Sequence, residues 1–120
     1  MIANSRAEHL AAGDCAERRA CQYLEERGLH LRQRNFRTRL GENDLIMDDG
    51  PVLAFVEVRY RKPGALVSPL ESITPAKAQR ITRAATQYLQ ARPELRNRRC
   101  RFDVVAISDD IRWIQAAFEA

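Results

Sequence analysis

Two neighbouring segments in the middle of the chain have the pattern of a β-hairpin, and this pattern constrains the fold more than any other feature. Residues 42–47 and 52–60 are β-like segments separated by Asp48-Asp49-Gly50-Pro51, which is a strong turn signal. The sequence therefore predicts two antiparallel strands joined by a tight turn.

Strand alternation places acidic residues on one face of this hairpin. Glu42 and Asp44 share a face of the first strand, while Glu57 and Arg59 share a face of the second. A two-residue or four-residue loop around Asp49-Gly50 places Glu42 opposite Glu57. It leaves Asp44 and Glu57 diagonal, about 7 Å apart. Two carboxylates at that separation can both reach a cation that takes oxygen ligands at about 2.1 Å.

The rest of the chain supplies helices and further strands around the hairpin. Helical spacing of small and apolar residues predicts a helix from Ser5 to Gly28, and Thr74-Pro75 begins a second helix that runs to about Ala91. Strands or extended segments are expected at 29–39, 101–107 and 111–114, with an irregular loop at 61–70. This order predicts an α/β fold with a mixed β-sheet flanked by α-helices, and the length of 120 residues suits a single domain spanning 1–120.

The charge balance favours an anionic partner. Twenty Lys and Arg against sixteen Asp and Glu give a net charge of +4, and eighteen of the cations are Arg. Arg meets phosphate with a planar pair of donors, so the bias fits nucleic-acid binding, although it fits genomic composition equally well. The sequence has neither an apolar run of membrane-spanning length nor a signal-peptide layout, which predicts a cytoplasmic protein without a membrane partner. Three Cys without CxxC spacing fit neither a disulfide framework nor a zinc knuckle and are expected to be buried thiols.

The acidic residues on the hairpin face repel one another and need a positive group beside them. Arg59, two residues after Glu57, is one such group, and a divalent cation is the other. The alternative is an exposed face on which the acids and Arg59 form surface ion pairs, each worth at most about 1 kcal/mol. Glu17 favours a site, because it lies within the stripe of small and apolar residues on the first helix, where an inward acid is costly without a purpose.

Basic residues cluster in two stretches of the chain. Residues 27–39 hold five Arg and no acid, and residues 92–101 hold five Arg against Glu94 alone. At the rim of the acidic patch they would hold a nucleic-acid backbone, and the alternative is a solvated surface. Lys77 lies on the inward stripe of the second helix, from which it either approaches the acids or extends its tip to solvent. The candidate nucleic-acid-binding residues are Arg34, Arg37, Arg39, Lys77, Arg98 and Arg99.

Asp44 and Glu57 belong to a longer pattern, D-x12-E-x-R, which resembles the D-x(n)-E-x-K metal site of restriction-endonuclease-like nucleases. Further motifs are Gly13-x3-Glu17-x2-Ala20-x2-Tyr23-Leu24-Glu25, Arg34-Asn35-Phe36-Arg37, Gly41-Glu42-Asn43-Asp44-Leu45-Ile46, Phe55-Val56-Glu57-Val58-Arg59 and Arg101-Phe102-Asp103-Val104-Val105. In this order and spacing they resemble the YraN family of bacterial proteins (uncharacterised protein family 0102). That family is related in fold to the archaeal Holliday junction resolvases, and the resemblance spans nearly the whole chain.

The resemblance implies a restriction-endonuclease-like sheet and a Mg²⁺ or Mn²⁺ site formed by Asp44 and Glu57, with Arg59 as the basic residue and Glu17 as an additional ligand. In resolvase-like nucleases such a site cleaves phosphodiesters, so these four are the candidate catalytic residues of a nuclease acting on structured DNA. By analogy with the resolvases, a homodimer is expected. Two alternatives remain open: a nucleic-acid-binding module without turnover, and an interaction subunit of a DNA-processing assembly.

Two positions depart from the family pattern. Arg59 stands where the family usually has Lys, and a guanidinium clamps phosphate through two donors but is a poor proton shuttle. Asn43 occupies a position that is usually apolar. Strand alternation predicts that Asn43 faces away from Glu42 and Asp44 and changes only the local packing.

Overall fold

The computed structural model describes residues 5–64, 68 and 70–119, with side chains described from residue 13 onward. The elements in chain order are α1 (Ser5–Glu26), β1 (His30–Arg37), β2 (Glu42–Asp49), β3 (Val52–Tyr60), α2 (Pro75–Gln90), a short 3-10 helix (Pro93–Leu95), β4 (Arg99–Ile107) and β5 (Ile111–Ile114). Every predicted helix and strand is confirmed. Residues 61–64 are irregular, as expected for the loop, whereas residues 65–67 and 69 of that loop lie outside the described residues.

The five strands form one sheet in the order β1-β2-β3-β4-β5. Neighbouring strands are antiparallel except β3 and β4, which are parallel. A parallel pair needs a long crossover, and α2 lies in the chain between these two strands. The sheet is therefore mixed and flanked by helices, which confirms the predicted α/β class and is consistent with a restriction-endonuclease-like arrangement.

The two helices cover opposite faces of the sheet. Alternation along β2 sends Leu45 and Met47 to one face, where they pack in a core cluster with Leu24 of α1. Ile46 points to the other face and packs in a second cluster with Tyr88 of α2. Strands that are covered by helices on both faces have continuous apolar sequences. This explains why residues 45–47 of β2 and 53–56 of β3 are all apolar and buried.

The hairpin register differs from the predicted one by two residues. Gly50, at a left-handed φ of 57°, and Pro51 form the two-residue turn, so Asp49 pairs with Val52. The prediction that Glu42 lies opposite Glu57 is therefore wrong, because the turn is centred one residue later than expected. A register shift of two residues does not exchange the two faces of the paired part of the hairpin, residues 45–49 and 52–56. Continued past its last pair, the register sets Asp44 opposite Glu57.

Strands β2 and β3 separate near the end of the hairpin. Their ladder stops at Leu45↔Val56, although β2 continues to Glu42 beside β1 and β3 continues to Tyr60 beside β4. We call the space between Glu42–Asp44 and Glu57–Arg59 the β2–β3 fork. The backbone N–H of Val58 has no backbone carbonyl partner on β2 and donates instead to the side chain of Asp44, at 2.8 Å from Oδ2. The fork thus places a carboxylate where a backbone carbonyl would otherwise lie.

No helix in the described part of the chain is both long and apolar enough to cross a membrane. Cys21 is buried and Cys100 is half-buried, but Cys15 is exposed. The prediction of a buried thiol is therefore wrong for Cys15. The reason is that the face of α1 that meets the sheet runs through Ala16 and Ala20 instead.

Gly41 allows α2 to lie directly against the start of β2. A Cβ atom at Gly41 would overlap the backbone carbonyl of Arg80, which cannot rotate away as a side chain would. We expect Gly41→Ala to lower the free energy of unfolding by about 2 kcal/mol, as overpacking does in protein interiors. Chemical denaturation followed by circular dichroism measures this change.

Gly13 provides the matched control for this substitution. It lies in α1, and a Cβ atom there would meet nothing within 4 Å. Gly13→Ala should stabilise the protein by about 0.5–1 kcal/mol, because alanine restricts the unfolded chain and favours helix. Equal effects of the two substitutions would contradict the close approach of α2 to β2.

Candidate functional site in the β2–β3 fork

The fork brings Asp44 and Glu57 together, as their shared face predicted. Glu57 is only 3% exposed. Burial, the negative charge of Asp44 and a hydrogen bond between the two carboxyl groups together raise the pKa of Glu57 well above its usual range. Glu57 Oε1 is buried and accepts no hydrogen bond from an N–H group among the described residues, so its contact with the Asp44 carboxyl group depends on a proton held between the two acids. A buried carboxyl oxygen that meets another carboxyl group instead of an N–H donor is costly to ionise.

Two cations converge on the other oxygen of Glu57. Arg59 Nη2 lies 3.1 Å from Glu57 Oε2, and Lys77 Nζ of α2 lies 3.5 Å from the same atom. Arg59 therefore neutralises Glu57, as predicted, and Lys77 approaches the acids rather than extending to solvent. Burial opposes the charge of Lys77. The hydrogen bond to Glu42 and the charges of Glu57, Glu42 and Asp44 nevertheless raise the pKa of Lys77, so it remains an ammonium.

Glu42 holds the basic side chains of α2 at the fork. Glu42 Oε1 lies 2.7 Å from Lys77 Nζ, and Glu42 Oε2 lies 2.7 Å from Arg80 Nη2. The hydrogen bonds from Arg80 and Lys77 lower the pKa of Glu42 to about 2, although partial burial opposes the shift. Sequence analysis assigned no role to Arg80, because its partner is 38 residues away and no local pattern joins them. Glu42 is thus a structural anion that positions Lys77.

Glu17 approaches Asp44 from α1. Burial, followed by the charge of Asp44, raises the pKa of Glu17 to about 7, against the opposing charges of Arg34 and Arg37. Glu17 Oε1 is buried and lacks a hydrogen-bond partner within the described residues. The structure therefore brings Glu17 to the fork, where the sequence stripe pointed, but without an ion pair of its own in the described part of the chain.

The donor set at the fork suits Mg²⁺ or Mn²⁺ bound through few protein ligands. Among the described residues, no group of three His, Cys, Asp or Glu side chains is close enough to hold a metal ion by itself. Mg²⁺ is usually bound through one or two carboxylates, with water and substrate phosphates completing its shell. Asp44 and the unpartnered oxygen of Glu57 fit that pattern. Glu17 remains a predicted additional ligand.

The candidate nucleic-acid-binding residues lie at both ends of the sheet. Arg37 pairs with Glu42 in the β1–β2 ladder, and Arg39 lies in the following loop, so both are near the fork. Arg98 and Arg99 are at the turn end instead. Arg99 pairs with Val52, five residues or about 16 Å along β3 from Glu57. Only the first basic stretch reaches the acidic site, because β4 begins beside the hairpin turn.

Two of these arginines already have carboxylate partners. Arg34 lies 3.4 Å from Asp14 on α1. Arg98 lies 2.7 Å from Asp48 and donates from Nε to the Pro51 carbonyl at 2.9 Å, which ties it to the hairpin turn. Arg37, Arg39 and Arg99 are exposed and form no ion pair within the described residues. These three remain free to meet phosphate.

Asn43 does not face away from its neighbours. It is 2% exposed, and its side-chain amide donates to the Ile81 carbonyl of α2 at 3.1 Å. Glu42 also contacts α2, so the two side chains lie on the same side of the sheet and the predicted alternation is wrong here. The reason is a local irregularity: Asn35, opposite Asp44 on β1, has a left-handed φ of 50°, and the β1–β2 register omits this pair.

The raised pKa of Glu57 predicts how stability depends on pH. A carboxyl group whose pKa is higher in the folded state contributes stability below its ordinary value of 4.5, and this is lost as pH rises through the folded-state pKa. Glu57→Gln should therefore raise the free energy of unfolding at pH 8 in the presence of a chelator. The gain should disappear near pH 5. Urea denaturation at the two pH values measures it.

Glu94, an exposed acid of the 3-10 helix, gives the matched control. Glu94→Gln should change the free energy of unfolding equally little at both pH values. A Glu57→Gln variant that is less stable than wild type at pH 8 would show that Arg59 and Lys77 more than compensate the buried charge.

Comparison with known proteins places the chain among close relatives. The sequence model of Uncharacterised protein family UPF0102 matches residues 16–107, which include Asp44, Glu57, Arg59 and Lys77. A UPF0102 protein of Nitrosococcus oceani is 50% identical over 117 residues, covering 93% of this chain and 94% of the relative. A UPF0102 protein of Alkalilimnicola ehrlichii is 47% identical over 115 residues, covering 95% and 91% respectively. The chain therefore belongs to Uncharacterised protein family UPF0102, which is the YraN family.

Proposed function

We propose that the protein is a divalent-metal-dependent nuclease that hydrolyses phosphodiesters of structured DNA at the β2–β3 fork. One observation carries this proposal. Glu57 is buried against Asp44, with one oxygen beside two cations and the other accepting from no N–H group among the described residues. A purely structural carboxylate would have both oxygens satisfied. The fork is thus prepared for a positively charged group beside Asp44 and Glu57.

The chemistry divides between the acids and the bases of the fork. A bound Mg²⁺ or Mn²⁺ would polarise the phosphoryl oxygen and activate water for attack. Asp44 and Glu57 would hold that ion, and the hydrogen bond from Val58 N–H fixes the Asp44 carboxylate. Arg59 and Lys77 balance the negative charge of Glu57, so the fork would repel a phosphate less than its three acids alone would.

The first basic stretch supports a nucleic acid as the substrate. Arg37 and Arg39 are exposed and lie at the fork end of β1. A DNA backbone that crosses the fork would meet these guanidinium groups on one side and Lys77 of α2 on the other. A twofold dimer, which the family resemblance suggests, would present two such forks to a symmetric junction.

A second candidate function is binding without turnover. The observation in its favour is Arg59, whose guanidinium is already engaged with Glu57 and offers a two-pronged contact to phosphate but no ready proton. In this case the protein would hold DNA through Arg37 and Arg39 and leave it uncut.

Asp44→Asn separates these functions. We expect the wild type with Mg²⁺ or Mn²⁺ to cut at least one DNA in a panel of labelled duplex, single-stranded, flap and four-way-junction substrates. Asp44→Asn should reduce cleavage at least about 100-fold, because it removes a ligand charge while its amide oxygen still accepts from Val58 N–H. Calorimetry should show that metal binding weakens in parallel. DNA affinity without metal should change less than about threefold.

Asp109, which lies in the exposed turn after β4, gives the matched control through Asp109→Asn. Wild-type binding without cleavage on every substrate would support the binding module. Absence of both binding and cleavage would support an interaction subunit, and equal metal affinity in wild type and Asp44→Asn would remove the fork as the metal site.

The two ends of the sheet predict unequal contributions to DNA affinity. Binding should weaken steeply with salt, because each Arg that contacts a phosphate releases condensed counterions. The Arg37→Ala/Arg39→Ala variant should lower the slope of log K against log[salt] by about 2, one for each phosphate that is no longer neutralised. Arg99→Ala, at the turn end, should leave the slope nearly unchanged. Fluorescence anisotropy across a salt titration measures the slopes, and a larger decrease from Arg99→Ala would contradict the proposed path.

A further inference from the structure

Lys77 is a cation of the fork that lies outside the D-x12-E-x-R pattern of Asp44, Glu57 and Arg59. It comes from α2, twenty residues after Glu57 in sequence, yet its ammonium lies 2.7 Å from Glu42 and 3.5 Å from Glu57. We infer that Lys77 supplies the ammonium that contacts the scissile phosphate during hydrolysis, and that Arg59 serves to hold Glu57. This inference rests on the proposed nuclease function and names a further catalytic residue for it.

The contacts at Glu57 show that the two cations have different tasks. Both approach Oε2 of Glu57, but the guanidinium of Arg59 is the closer at 3.1 Å. Arg59 lies two residues from Glu57 on the same strand face, so the pair needs no tertiary contact to form. The Arg59 side chain is 21% exposed and its Nε is buried, so the guanidinium lies inside the pocket with Glu57. Arg59 is thus the local counter-charge of Glu57.

Lys77 retains a donor for a ligand. An ammonium group has three N–H donors, and the described contacts of Lys77 are with two carboxylates, Glu42 and Glu57. Its side chain is 25% exposed, so the remaining donor is accessible from solvent. A compact ammonium on a flexible stem can follow the charge that develops on a phosphoryl oxygen, whereas the planar fork of an Arg is fixed by its first partner. The geometry therefore favours Lys77 for the phosphate.

The fold positions Lys77 with several independent devices. Its backbone N–H donates to the Thr74 side chain at 3.1 Å, which makes it the third residue of α2. Gly41 admits the backbone of α2 next to β2, and Glu42 then holds the ammonium. A cation in the first turn of a helix is opposed by the helix dipole, by about 0.3–1 kcal/mol at exposed sites. The ion pairs of Lys77 with Glu42 and Glu57 offset this cost.

Composition gives a further reason to distinguish Lys77 from the other cations. The chain uses Arg for eighteen of its twenty cations, and its two Lys are Lys62 and Lys77. Lys62 is exposed in the loop after β3, whereas Lys77 is half-buried among the acids. In a sequence so biased towards Arg, one of the two half-buried cations beside Glu57 is nevertheless a Lys, which favours a specific role for its ammonium group.

The hydrolytic step makes the role of Lys77 explicit. The oxygen of a water molecule forms a bond with phosphorus, the bond from phosphorus to one ester oxygen breaks, and one proton of the water ends on the departing oxygen. Negative charge builds on the non-bridging oxygens as the new bond forms. Lys77 donates a hydrogen bond to that charge and undergoes no net change itself. An interaction that strengthens in the transition state raises kcat more than it changes substrate affinity.

The experiment compares charge-conserving substitutions on the substrate that wild type cuts best. Lys77→Arg should keep the ion pair with Glu42 and the DNA Kd within about threefold, but lower kcat at least about 30-fold because the ammonium is replaced. Two matched controls should keep kcat within about threefold: Lys62→Arg makes the same exchange at an exposed site, and Arg80→Lys makes the reverse exchange at the other oxygen of Glu42. Circular dichroism and calorimetric metal affinity confirm that each variant is folded and loaded.

Arg59→Lys completes the set and distinguishes the two cations. With Lys77 present, Arg59→Lys should raise kcat by less than about threefold, because Lys77 already supplies the ammonium group of the site. A gain of about tenfold or more would overturn the inference, as would a Lys77→Arg variant that cuts like wild type. Should wild type cut nothing in the panel with either metal, the proposed function fails and this inference with it. Normal cleavage by Lys77→Arg would remove the inference alone.

Discussion

The separation of β2 and β3 is the constraint on which the site depends. While the two strands are paired, from Asp49↔Val52 to Leu45↔Val56, their backbones satisfy each other and their side chains are apolar. Beyond that point the Val58 N–H would be left without a partner in the interior, at a cost of about 1–3 kcal/mol. The Asp44 carboxylate accepts this hydrogen bond, so the group that satisfies the Val58 N–H is also the group that contacts Glu57. The same side chain therefore stabilises the end of the β2–β3 pairing and forms part of the candidate site.

Two buried acids of neighbouring strands differ in whether hydrogen-bond donors satisfy both of their carboxylate oxygens. Asp103 on β4 is fully buried, and both of its oxygens are satisfied by Arg101, the Trp113 indole and the Ala116 backbone at 2.8–3.0 Å. Such a network is closed, and it fastens β5 and the chain that follows to the sheet. Glu57 has almost the same burial, but its Oε1 accepts from no N–H group among the described residues, and its neighbour is the carboxyl group of Asp44. The same fold thus stabilises itself with one acid and keeps the other available.

Sequence patterns predict the elements of this fold well because those patterns are local. Gly50 and Pro51 mark the turn, Thr74 and Pro75 begin α2, and alternation puts Asp44 and Glu57 on one face. The patterns fail where distant segments decide the outcome. Strand alternation cannot foresee the irregularity that turns Asn43 towards α2.

The long-range contacts of the site are equally hidden from the sequence. Lys77 and Arg80 reach Glu42 only because α2 crosses the sheet between β3 and β4, at separations of 35 and 38 residues. The distance of Arg98 and Arg99 from the fork follows from the parallel register of β3 and β4, which begins at Val52↔Arg99. Charge runs in the sequence indicate that a basic surface exists, but only the topology determines which end of the sheet carries it.

The distribution of ion pairs gives the molecule two electrically different ends. At the turn end, Arg32, Arg98 and Arg101 each meet Asp48 or Asp49 at 2.7–2.8 Å, so these three charges are neutralised and Arg99 is the exposed Arg of β4 without such a partner among the described residues. At the fork end, Arg37 and Arg39 have no such partners within the described residues. An extended anion is attracted more strongly to unpaired cations than to ion pairs, because the opposite charges of a pair largely cancel each other's field, and salt screens what remains within about 8 Å at physiological ionic strength. The exposed positive charge of Arg37 and Arg39 therefore lies beside the acids Asp44 and Glu57, and the proposed metal ion would lie between these acids and a bound phosphate.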